Sequence, residues 1–474
     1  MVTSRATEMS AENGSLYFAI SGKHHTELQK HLYPGDGKEA VAILLCGRAK
    51  GNGRESLLVR DVVAIPYESC RIRAVDRVTW SPEAMIPALT RAMNEGLAVV
   101  KVHSHPGGHE AFSLTDDESD EELFTAVYGW LETNAMMASL IMLPSGRMFG
   151  RSIYSNGIGM PIDVIRVVGD DFMIWRAECG EKQVPEHARR IAQTFGDATY
   201  HQLRTMRIGV VGCSGTGSIV IEQLARNCVG DLIIVDPDSI EQRNLNRILN
   251  GTWMDAQQGA NKTDVMSRAV LAMGFGTNVT AFATDMPTVE TVKALASCDV
   301  IFGCVDSIDG RHFLNKISSY YLIPYIDVGV RIDADGLGGV EHVWAAVHTI
   351  QPGGSSLLSR KVYSQADLEA SMMKKHNPDI YAKRLTEGYI RGVRVEQPAV
   401  ISVNMIAAAT AVNELLARLH PYRVSPNSDF AARRISLSDH IAGMDEQDGE
   451  ACAIFSKYVG LGDQAPLLGV MGIL

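Results

Sequence analysis

The stretch that decides the fold lies in the middle of the chain and reads RIGVVGCSGTGSIVIEQLARNCVGDLIIVD, residues 207–236. Apolar runs at 207–211 and 232–236 predict two buried strands, and residues 217–227 between them predict a helix. Strands that alternate with helices are typical of a parallel, doubly wound α/β sheet. The alternation continues downstream, with predicted helices at 262–273 and 289–296 and predicted strands at 278–282 and 300–303.

A glycine-rich turn, GCSGTG, joins the first strand of this stretch to its helix and contains Gly212, Gly215 and Gly217. Glycines there allow tight turning and let a nucleotide approach the backbone at the helix N-terminus. Asp236, at the end of the next strand, lies where an acid commonly holds ribose hydroxyls. A glycine turn alone is a weak signal, because dehydrogenases have one and some such turns bind nothing.

Polar residues after the turn favour an enzyme that expels pyrophosphate over a dehydrogenase. Such an enzyme needs cationic side chains that face phosphates and an aspartate that holds magnesium. Residues of these types follow in order: Asn244, Arg247, Lys262, Asp306, Arg311 and Asn315.

In these motifs the chain resembles the ThiF/MoeB family, the adenylating core shared with ubiquitin-activating enzymes, over about residues 185–420. The resemblance implies a Rossmann-like adenylation domain that uses ATP and Mg²⁺. It implies that Gly212, Gly215 and Gly217 line the nucleotide loop and that Asp236 binds ribose.

The same resemblance implies that Asn244, Arg247 and Lys262 contact the phosphates and that Asp306 binds magnesium. Arg190 matches an arginine that reaches across a dimer into the partner's ATP site. We therefore expect a homodimer.

The sequence departs from the family pattern in its cysteines. Residues 305–451 contain none, although many relatives have a thioester-forming cysteine in a loop before the last core helix. Either the enzyme stops at the acyl-adenylate or the nucleophile comes from elsewhere. Cys452, in the tail, is one candidate nucleophile, and a structural role is the alternative. Ser214 replaces the usual middle glycine, and Pro352-Gly353 is followed by GSSLLSR, which lacks the cysteine pair that would bind a structural zinc in the family.

A second set of chemically active residues lies in VHSHPGGHEAFSLTDDESD, residues 102–120. His103 and His105 follow a predicted buried strand, where alternate side chains share a face. Two imidazoles and one carboxylate make an open catalytic zinc site with water in the fourth position. Asp116 is the natural carboxylate, with Asp117 as its neighbour and competitor. The alternative is a histidine pair on a surface loop that binds no metal.

Here the chain resembles the JAB/JAMM metallopeptidase family, over about residues 15–155. The family pattern is a distant glutamate, then H-x-H-P, then S-x-x-D. The resemblance implies a mixed-sheet, cytidine-deaminase-like domain in which His103, His105 and Asp116 bind Zn²⁺. Glu39 would act as the general base and Ser113 would hydrogen-bond the developing oxyanion.

These assignments predict an ordered series of regions along the chain. We predict a leader at 1–14, a metallopeptidase domain at 15–155, a helical connector at 156–205, an adenylation domain at 206–422 and an unassigned tail at 423–474. Further predicted elements are strands at 40–46, 57–65, 98–102 and 139–143 and helices at 82–94 and 398–419.

Composition narrows the possible partners. The net charge of -11 argues against nucleic acid, because phosphate binding needs a basic surface. The polar start predicts no signal peptide, and no apolar stretch predicts a membrane span. The eight cysteines include no CxxC pair, which indicates free, reduced thiols and not a disulfide framework. We therefore expect a cytoplasmic protein. The acidic run 116–122, which includes Asp120, is interpreted as a solvated helix face. A basic cluster, Lys374, Lys375, His376, Arg384 and Arg391, is equally compatible with a plain surface and with substrate or phosphate contacts.

The two sites together predict a bifunctional enzyme. We expect a zinc hydrolase that cleaves peptide or isopeptide bonds at the C-terminus of a ubiquitin-like or sulfur-carrier-like protein, joined to an ATP-dependent adenylyltransferase that activates such a carboxylate. A conjugating enzyme is a possible further partner, and a bacterial modification or antiviral defence system the expected setting. Two alternatives stay open: the same chemistry on a peptide or small carboxylate in a biosynthetic pathway, and a non-catalytic receptor for a ubiquitin-like protein.

Overall fold

The computed structural model describes residues 15–177, 183–334, 337–386, 399–439 and 443–470. It divides the chain into two compact units. The first unit runs to residue 180 and also contains Tyr320–Leu322 and Tyr458–Ala465. The second contains the remaining residues. The predicted leader lies outside the described residues, as does Arg391.

The first unit contains a nine-stranded mixed sheet in the order β11-β10-β1-β3-β2-β6-β7-β8-β9. The strands of this sheet are β1 (Ser15–Ser21), β2 (Val41–Gly51), β3 (Arg54–Ala64), β6 (Ala98–Ser104), β7 (Met137–Met142), β8 (Met148–Tyr154), β9 (Gly157–Pro161), β10 (Val164–Val168) and β11 (Phe172–Arg176). A separate hairpin pairs β4 (Cys70–Arg73) with β5 (Val78–Trp80).

Three helices accompany this sheet: α1 (Gly22–Leu32), α2 (Ile86–Glu95) and α3 (Leu114–Leu131). The core consists of the apolar residues of the central strands together with the inner faces of the helices. Phe18, Ile43 and Val100 are completely buried, and Phe124 of α3 is nearly so. Strands β2 and β6 read as near-continuous apolar runs because they are covered on both faces.

The second unit contains an eight-stranded sheet in the order β14-β13-β12-β15-β16-β17-β18-β19. Its strands are β12 (Arg207–Val211), β13 (Asp231–Val235), β14 (Asn278–Phe282), β15 (Val300–Gly303), β16 (Tyr325–Ala334), β17 (Val340–Ile350), β18 (Ala432–Ser436) and β19 (Met444–Glu446). The first five of these strands are parallel, and the last three extend the sheet in antiparallel pairs.

Ten helices surround this second sheet in the described part of the chain. They are α4 (Arg189–Phe195), α5 (Asp197–Thr205), α6 (Gly217–Arg226), α7 (Trp253–Gln258), α8 (Lys262–Ala272), α9 (Val289–Ala296), α10 (Ile308–Tyr321), α11 (Gln365–His376), α12 (Pro378–Thr386) and α13 (Ile401–Leu419). The long apolar helix α13 packs against α6, β16 and β17, where Ala407, Ala411 and Leu415 are completely buried. Among the described helices, none is long and apolar enough to cross a membrane.

The strand–helix alternation from 207 to 303 forms as predicted, so the doubly wound α/β class is confirmed. The prediction of a helical connector at 156–205 is wrong for its first part, because β9, β10 and β11 lie there and belong to the first sheet. Only the part from residue 186 onward is helical. The unassigned tail contains β18 and β19, which complete the second sheet.

Candidate functional site

Three predicted zinc ligands converge in the first unit. His103 lies near the end of β6, His105 follows that strand, and Asp116 lies in the first turn of α3. His103 Nε2 is 2.9 Å from Asp116 Oδ1, and His105 Nε2 is 3.6 Å from Asp116 Oδ2. The two Nε2 atoms are 3.2 Å apart. We call these three residues the metal cluster; one ligand atom from each lies within 4.8 Å of the others.

The chemistry of these donors fits a zinc ion. Two imidazole nitrogens and a carboxylate are the ligand set of an open catalytic site. His105 Nδ1 contacts the carbonyl of His109 at 2.8 Å, which leaves its Nε2 lone pair for a cation. His103 Nδ1 is buried without a hydrogen-bond partner among the described residues. Two nitrogen lone pairs this close repel each other unless a proton or a cation lies between them.

Burial and mutual contact set the protonation of the metal cluster. Burial lowers the pKa of His103 to about 4. Burial also acts to raise the pKa of Asp116, but contacts with His103, His105 and the Ser113 amide together hold that pKa well below its usual range. For His105 burial acts to lower the pKa, but Asp116, the His109 carbonyl and Glu39 together outweigh it, and the pKa is raised. The raised pKa favours a proton on His105, and a cation that binds there has to displace that proton.

Glu39 lies two residues before β2 and is buried. Strands β2 and β6 are antiparallel, and Val41 pairs with His103. Continuing that register by two residues brings Glu39 opposite His105. Burial raises the pKa of Glu39 to about 7. The structure therefore brings a carboxyl group whose pKa is near neutrality to the edge of the metal cluster, where a general base is expected.

Ser113 caps the N-terminus of α3. Its Oγ accepts a hydrogen bond from the Asp116 amide at 3.2 Å and contacts Asp116 Oδ2 at 2.7 Å. The hydroxyl thus orients the metal-cluster carboxylate in this structure. To donate to an oxyanion, it has to rotate away from Asp116.

The other acids of α3 differ from the interpretation of a solvated face. Asp117 pairs with Arg151, so Asp116 and not Asp117 reaches the metal cluster. Asp120 is completely buried and pairs with Lys101 at 2.6 Å. The interpretation of a solvated face is therefore wrong for Asp120. The pairing of Asp120 with Lys101 could not be predicted from the sequence, because Lys101 belongs to a strand whose pattern is apolar.

The glycine turn in the second unit, Gly212–Gly217, is called the nucleotide loop below. It connects β12 to α6 beside β15, at the point where the strand order reverses. In doubly wound sheets this switch point is where ligands bind. Asp306 follows β15 at the same edge of the sheet and is exposed.

Close backbone packing requires the glycines of the nucleotide loop. Gly212 has a φ of +92°, and a Cβ atom there would lie 2.4 Å from the Cys304 carbonyl oxygen. A Cβ on Gly217 would lie 1.8 Å from the carbonyl oxygen of Gly212, and one on Gly215 would lie 2.3 Å from Asn404 Nδ2. Side chains are therefore excluded at these three positions of the nucleotide loop.

Asp236 and Lys262 connect the nucleotide loop to the next strand and helix. One Asp236 oxygen accepts a hydrogen bond from the Cys213 amide at 2.6 Å, and the other accepts from Asp238 N at 2.9 Å. Lys262 Nζ lies 2.6 Å from Asp238 Oδ2 and 3.6 Å from Asp236 Oδ1. Burial raises the pKa of Asp236. The pair is preassembled beside the nucleotide loop.

Two comparisons with protein families match the two units. The model of the ThiF family matches residues 187–439, which is more than half of the chain. The chain belongs to the ThiF family. A second model, described as prokaryotic homologs of the JAB domain, matches residues 21–141. The predicted fusion of a JAB domain with a ThiF domain is thereby confirmed.

Curated relatives of the ThiF domain are similar over shorter stretches. A ubiquitin-like modifier-activating enzyme 5 from Oryza sativa subsp. japonica is 26% identical over 148 residues, which is 28% of this chain and 34% of the relative. The enzyme of the same name from Bombyx mori is 25% identical over 168 residues, which is 33% of this chain and 40% of the relative. The match thus spans well under half the length of either relative.

A solved structure, titled E. coli MccB + MccA-N7isoASN, matches at a TM-score of 0.44 with 21% identity, covering 57% of this chain and 74% of that chain.

Other ThiF-site residues predicted from the sequence have varied surroundings. Asn244 is buried and caps a short 3₁₀ helix through a hydrogen bond from Glu241 N. Arg247 donates to the carbonyl of Arg243 at 2.7 Å, and its Cδ lies 3.4 Å from where a Cβ on Gly215 would be. Arg190 is exposed on α4, where its guanidinium donates a hydrogen bond to Gln193 Oε1 at 3.4 Å.

Cys452, the candidate thioester nucleophile, is only 4% exposed. It lines a cavity of about 370 Å³ together with Arg360, Glu446 and Glu450. The low exposure of Cys452 agrees better with the structural alternative than with a freely accessible nucleophile.

Asn404 was not among the residues predicted from the sequence. It lies on α13, and its amide is the group closest to where a side chain on Gly215 would be. Its signal was present, because it is a buried polar residue within the apolar run of that helix. In the basic cluster at 374–376, Lys375 forms ion pairs with Asp285 and Asp309.

Proposed function

We propose that the ThiF domain adenylates the C-terminal carboxylate of a small protein with ATP. The observation that carries this proposal is the nucleotide loop at the switch point, closely packed at its three glycines, next to the preassembled pair of Asp236 and Lys262. A helix N-terminus with its free amides binds phosphate groups. The names of the curated relatives, which are ubiquitin-like modifier-activating enzymes, support a ubiquitin-like substrate.

In this reaction a carboxylate oxygen of the substrate attacks the α-phosphorus of ATP. The new bond joins oxygen to that phosphorus, the bond to the β-phosphate oxygen breaks, and pyrophosphate leaves. Lys262 and Arg247 are proposed to stabilise the charge on the phosphates, and Asp306 to hold Mg²⁺. Asp236, already bonded to the loop backbone, is proposed to position the ribose.

ATP–pyrophosphate exchange tests this proposal and separates the substrate classes. Exchange that depends on an added ubiquitin-like carrier supports the proposal. Exchange with a short peptide alone favours the biosynthetic alternative. Absence of exchange with both, in a chain that is folded, favours a non-catalytic receptor.

We also propose that the JAB domain is a zinc hydrolase for peptide or isopeptide bonds at such a C-terminus. The convergence of the metal cluster with Glu39 supports this. Zinc supplies Lewis-acid chemistry that makes a water molecule acidic enough to react near neutral pH. Glu39 accepts a proton from the attacking water and later gives it to the leaving amine. Ser113 is proposed to rotate and donate to the oxyanion.

Replacement of the base tests the hydrolase. We expect Glu39→Gln to lower cleavage of a carrier with a C-terminal extension about a thousandfold, while the zinc content stays at the wild-type level. Glu27→Gln, which removes a carboxylate from the exposed side of α1, is the matched control. Normal cleavage by Glu39→Gln would show that another group is the base.

A homodimer in which Arg190 completes the partner's ATP site is the third part of the proposal. Arg190 is exposed on α4, as that role requires. Arg190→Ala and Asp306→Ala should each abolish exchange alone. A mixture of the two should recover activity, because a mixed dimer has one site with both residues intact. No recovery in a mixture shown to exchange subunits would mean that Arg190 does not act across a dimer.

A further inference from the structure

The buried carboxylate Asp120 lies one helical turn after the metal-cluster residue Asp116. Residues four apart on a helix share a face, so both side chains point from α3 toward β6. On β6, Lys101 and His103 are two residues apart and therefore also share a face. The helix and the strand meet in two successive contacts, His103 with Asp116 at 2.9 Å and Lys101 with Asp120 at 2.6 Å.

Three strands supply the partners of Asp120. Its Oδ1 also accepts a hydrogen bond from Ser139 Oγ at 3.0 Å, and its Oδ2 accepts from Arg151 Nη2 at 2.7 Å. Lys101 pairs with Ser139 in the register of β6 and β7, and Ser139 pairs with Arg151 in the register of β7 and β8. The donors thus form one row across the sheet that is aimed at a single carboxylate. We call Lys101, Ser139 and Arg151 the donor row.

The energetics of this arrangement indicate a role other than stability. A buried ion pair pays a desolvation cost, and an apolar pair of similar volume often stabilises a fold at least as well. Hydrogen bonds, however, are directional. The adjacent inner face of α3 is formed by apolar groups such as Phe124 and Val127, whose packing is far less directional. The donor row therefore fixes the rotation and axial position of α3 at the end that carries Asp116.

Arg151 makes a second contact that acts in the same sense. It pairs with Asp117 as well as with Asp120. Asp117 is the carboxylate next to the metal-cluster residue, and this pairing keeps it turned away. The Arg151 guanidinium therefore holds Asp120 in place and also keeps Asp117 from replacing Asp116 in the metal cluster.

We infer that Asp120, held by the donor row, is a positioning residue that sets Asp116 against His103 and His105 for metal binding. This inference rests on the proposed zinc site and adds a determinant of its geometry. It predicts that metal affinity depends on a buried carboxylate that touches neither the metal nor the substrate.

The experiment measures zinc affinity of the full chain by competition with a chelator. Asp120→Asn keeps the shape but loses the charge. Lys101→Met combined with Asp120→Leu replaces the ion pair by apolar groups, and Arg151 keeps its second partner Asp117, so this variant is expected to stay folded. In both variants we expect zinc to bind about 10- to 100-fold more weakly, the usual effect of losing a group that orients a ligand. The visible spectrum of the Co²⁺-loaded protein should shift as well, because it reports the ligand geometry, whereas a general loss of stability would not alter it.

Glu121→Gln is the matched control, because it removes one exposed carboxylate from the same helix. Its zinc affinity and Co²⁺ spectrum should equal those of the wild type. If the folded apolar pair binds zinc as tightly as the wild type with the same spectrum, the inference is overturned. Failure of the proposed hydrolase is a separate result: a wild type that binds zinc but cleaves nothing leaves the affinity comparison intact.

Discussion

The metal cluster and the nucleotide loop are built from opposite materials. In the metal cluster, side-chain atoms from one strand and one helix come within 4.8 Å of each other. In the nucleotide loop, the backbone is packed so closely that even a single methyl group at Gly217 would collide with the carbonyl of Gly212. The first site depends on which side chains are present. The second depends on which are absent.

This difference also extends to how each site handles charge. Contacts with the two histidines of the metal cluster hold the pKa of Asp116 well below its usual range despite its burial. In contrast, the two carboxylate oxygens of Asp236 accept hydrogen bonds from the backbone amides of Cys213 and Asp238. The acid of the second site thus shapes the loop before any ligand arrives.

The largest expected effect tests the backbone-built site. Gly217→Ala should destabilise the ThiF domain by about 4 kcal/mol, since the loop has to shift to admit the methyl group. Nucleotide binding, measured by calorimetry, should be lost. Gly251→Ala is the control, because a Cβ there makes ordinary contacts of 3.6 Å or more. Normal nucleotide binding by Gly217→Ala would show that the site does not depend on close backbone packing at this glycine.

The next effect tests the side-chain-built site through adjacent residues. Asp116→Asn should weaken zinc binding about a hundredfold or more, since loss of a direct ligand exceeds loss of an orienting group. Asp117→Asn should leave the affinity nearly unchanged because Asp117 pairs with Arg151. Chelator competition on both variants measures the ratio. Equal losses would mean that either carboxylate can serve as the ligand.

A smaller effect concerns a histidine that belongs to neither site. His348 on β17 is 3% exposed, and burial lowers its pKa to about 4, with Arg360, Arg434 and Arg311 acting in the same direction and its register partner Asp327 opposing them. Between pH 6.5 and 4 the unfolded chain binds a proton that the folded chain does not. Stability should therefore fall by about 2 kcal/mol as the pH drops through this range.

Denaturant unfolding of wild type and His348→Gln across this pH range measures that contribution. The variant should lose less stability on acidification than the wild type. His342→Gln, on the exposed end of the same strand, should behave like the wild type. This result would separate the loss of stability that acid causes in the second sheet from the effects of acid on either site.

The smallest effect asks how much one side chain adds to the backbone-built site. Lys262→Met should weaken ATP binding about tenfold, which corresponds to one charge-assisted hydrogen bond. Lys361→Met, an exposed lysine of the same unit, is the control. A loss as large as that of Gly217→Ala would show that side chains matter as much as the backbone in the nucleotide loop.

Much of the fold could be predicted because its signals are local. The strands at 207–211, 278–282 and 300–303 formed at their predicted positions, since apolar runs bounded by turns determine them. Strands β9, β10 and β11 were missed, because they follow the predicted domain end and join the far edges of a sheet. Strands β17 and β18 pair although more than 80 residues separate them, which no local pattern reveals.

The sequence by itself determined the chemistry that the chain can offer. It supplied the histidine pair with its serine and aspartate at set spacing, and the glycines between a strand and a helix. These signals are short-range, so they survive without any knowledge of the fold. Choosing Asp116 over Asp117, turning Asp120 inward and enclosing Cys452 were decided only by the tertiary structure. The physical reason is that the state of a charged or nucleophilic group depends on its partners and burial, and these come from strands and helices far away in the chain.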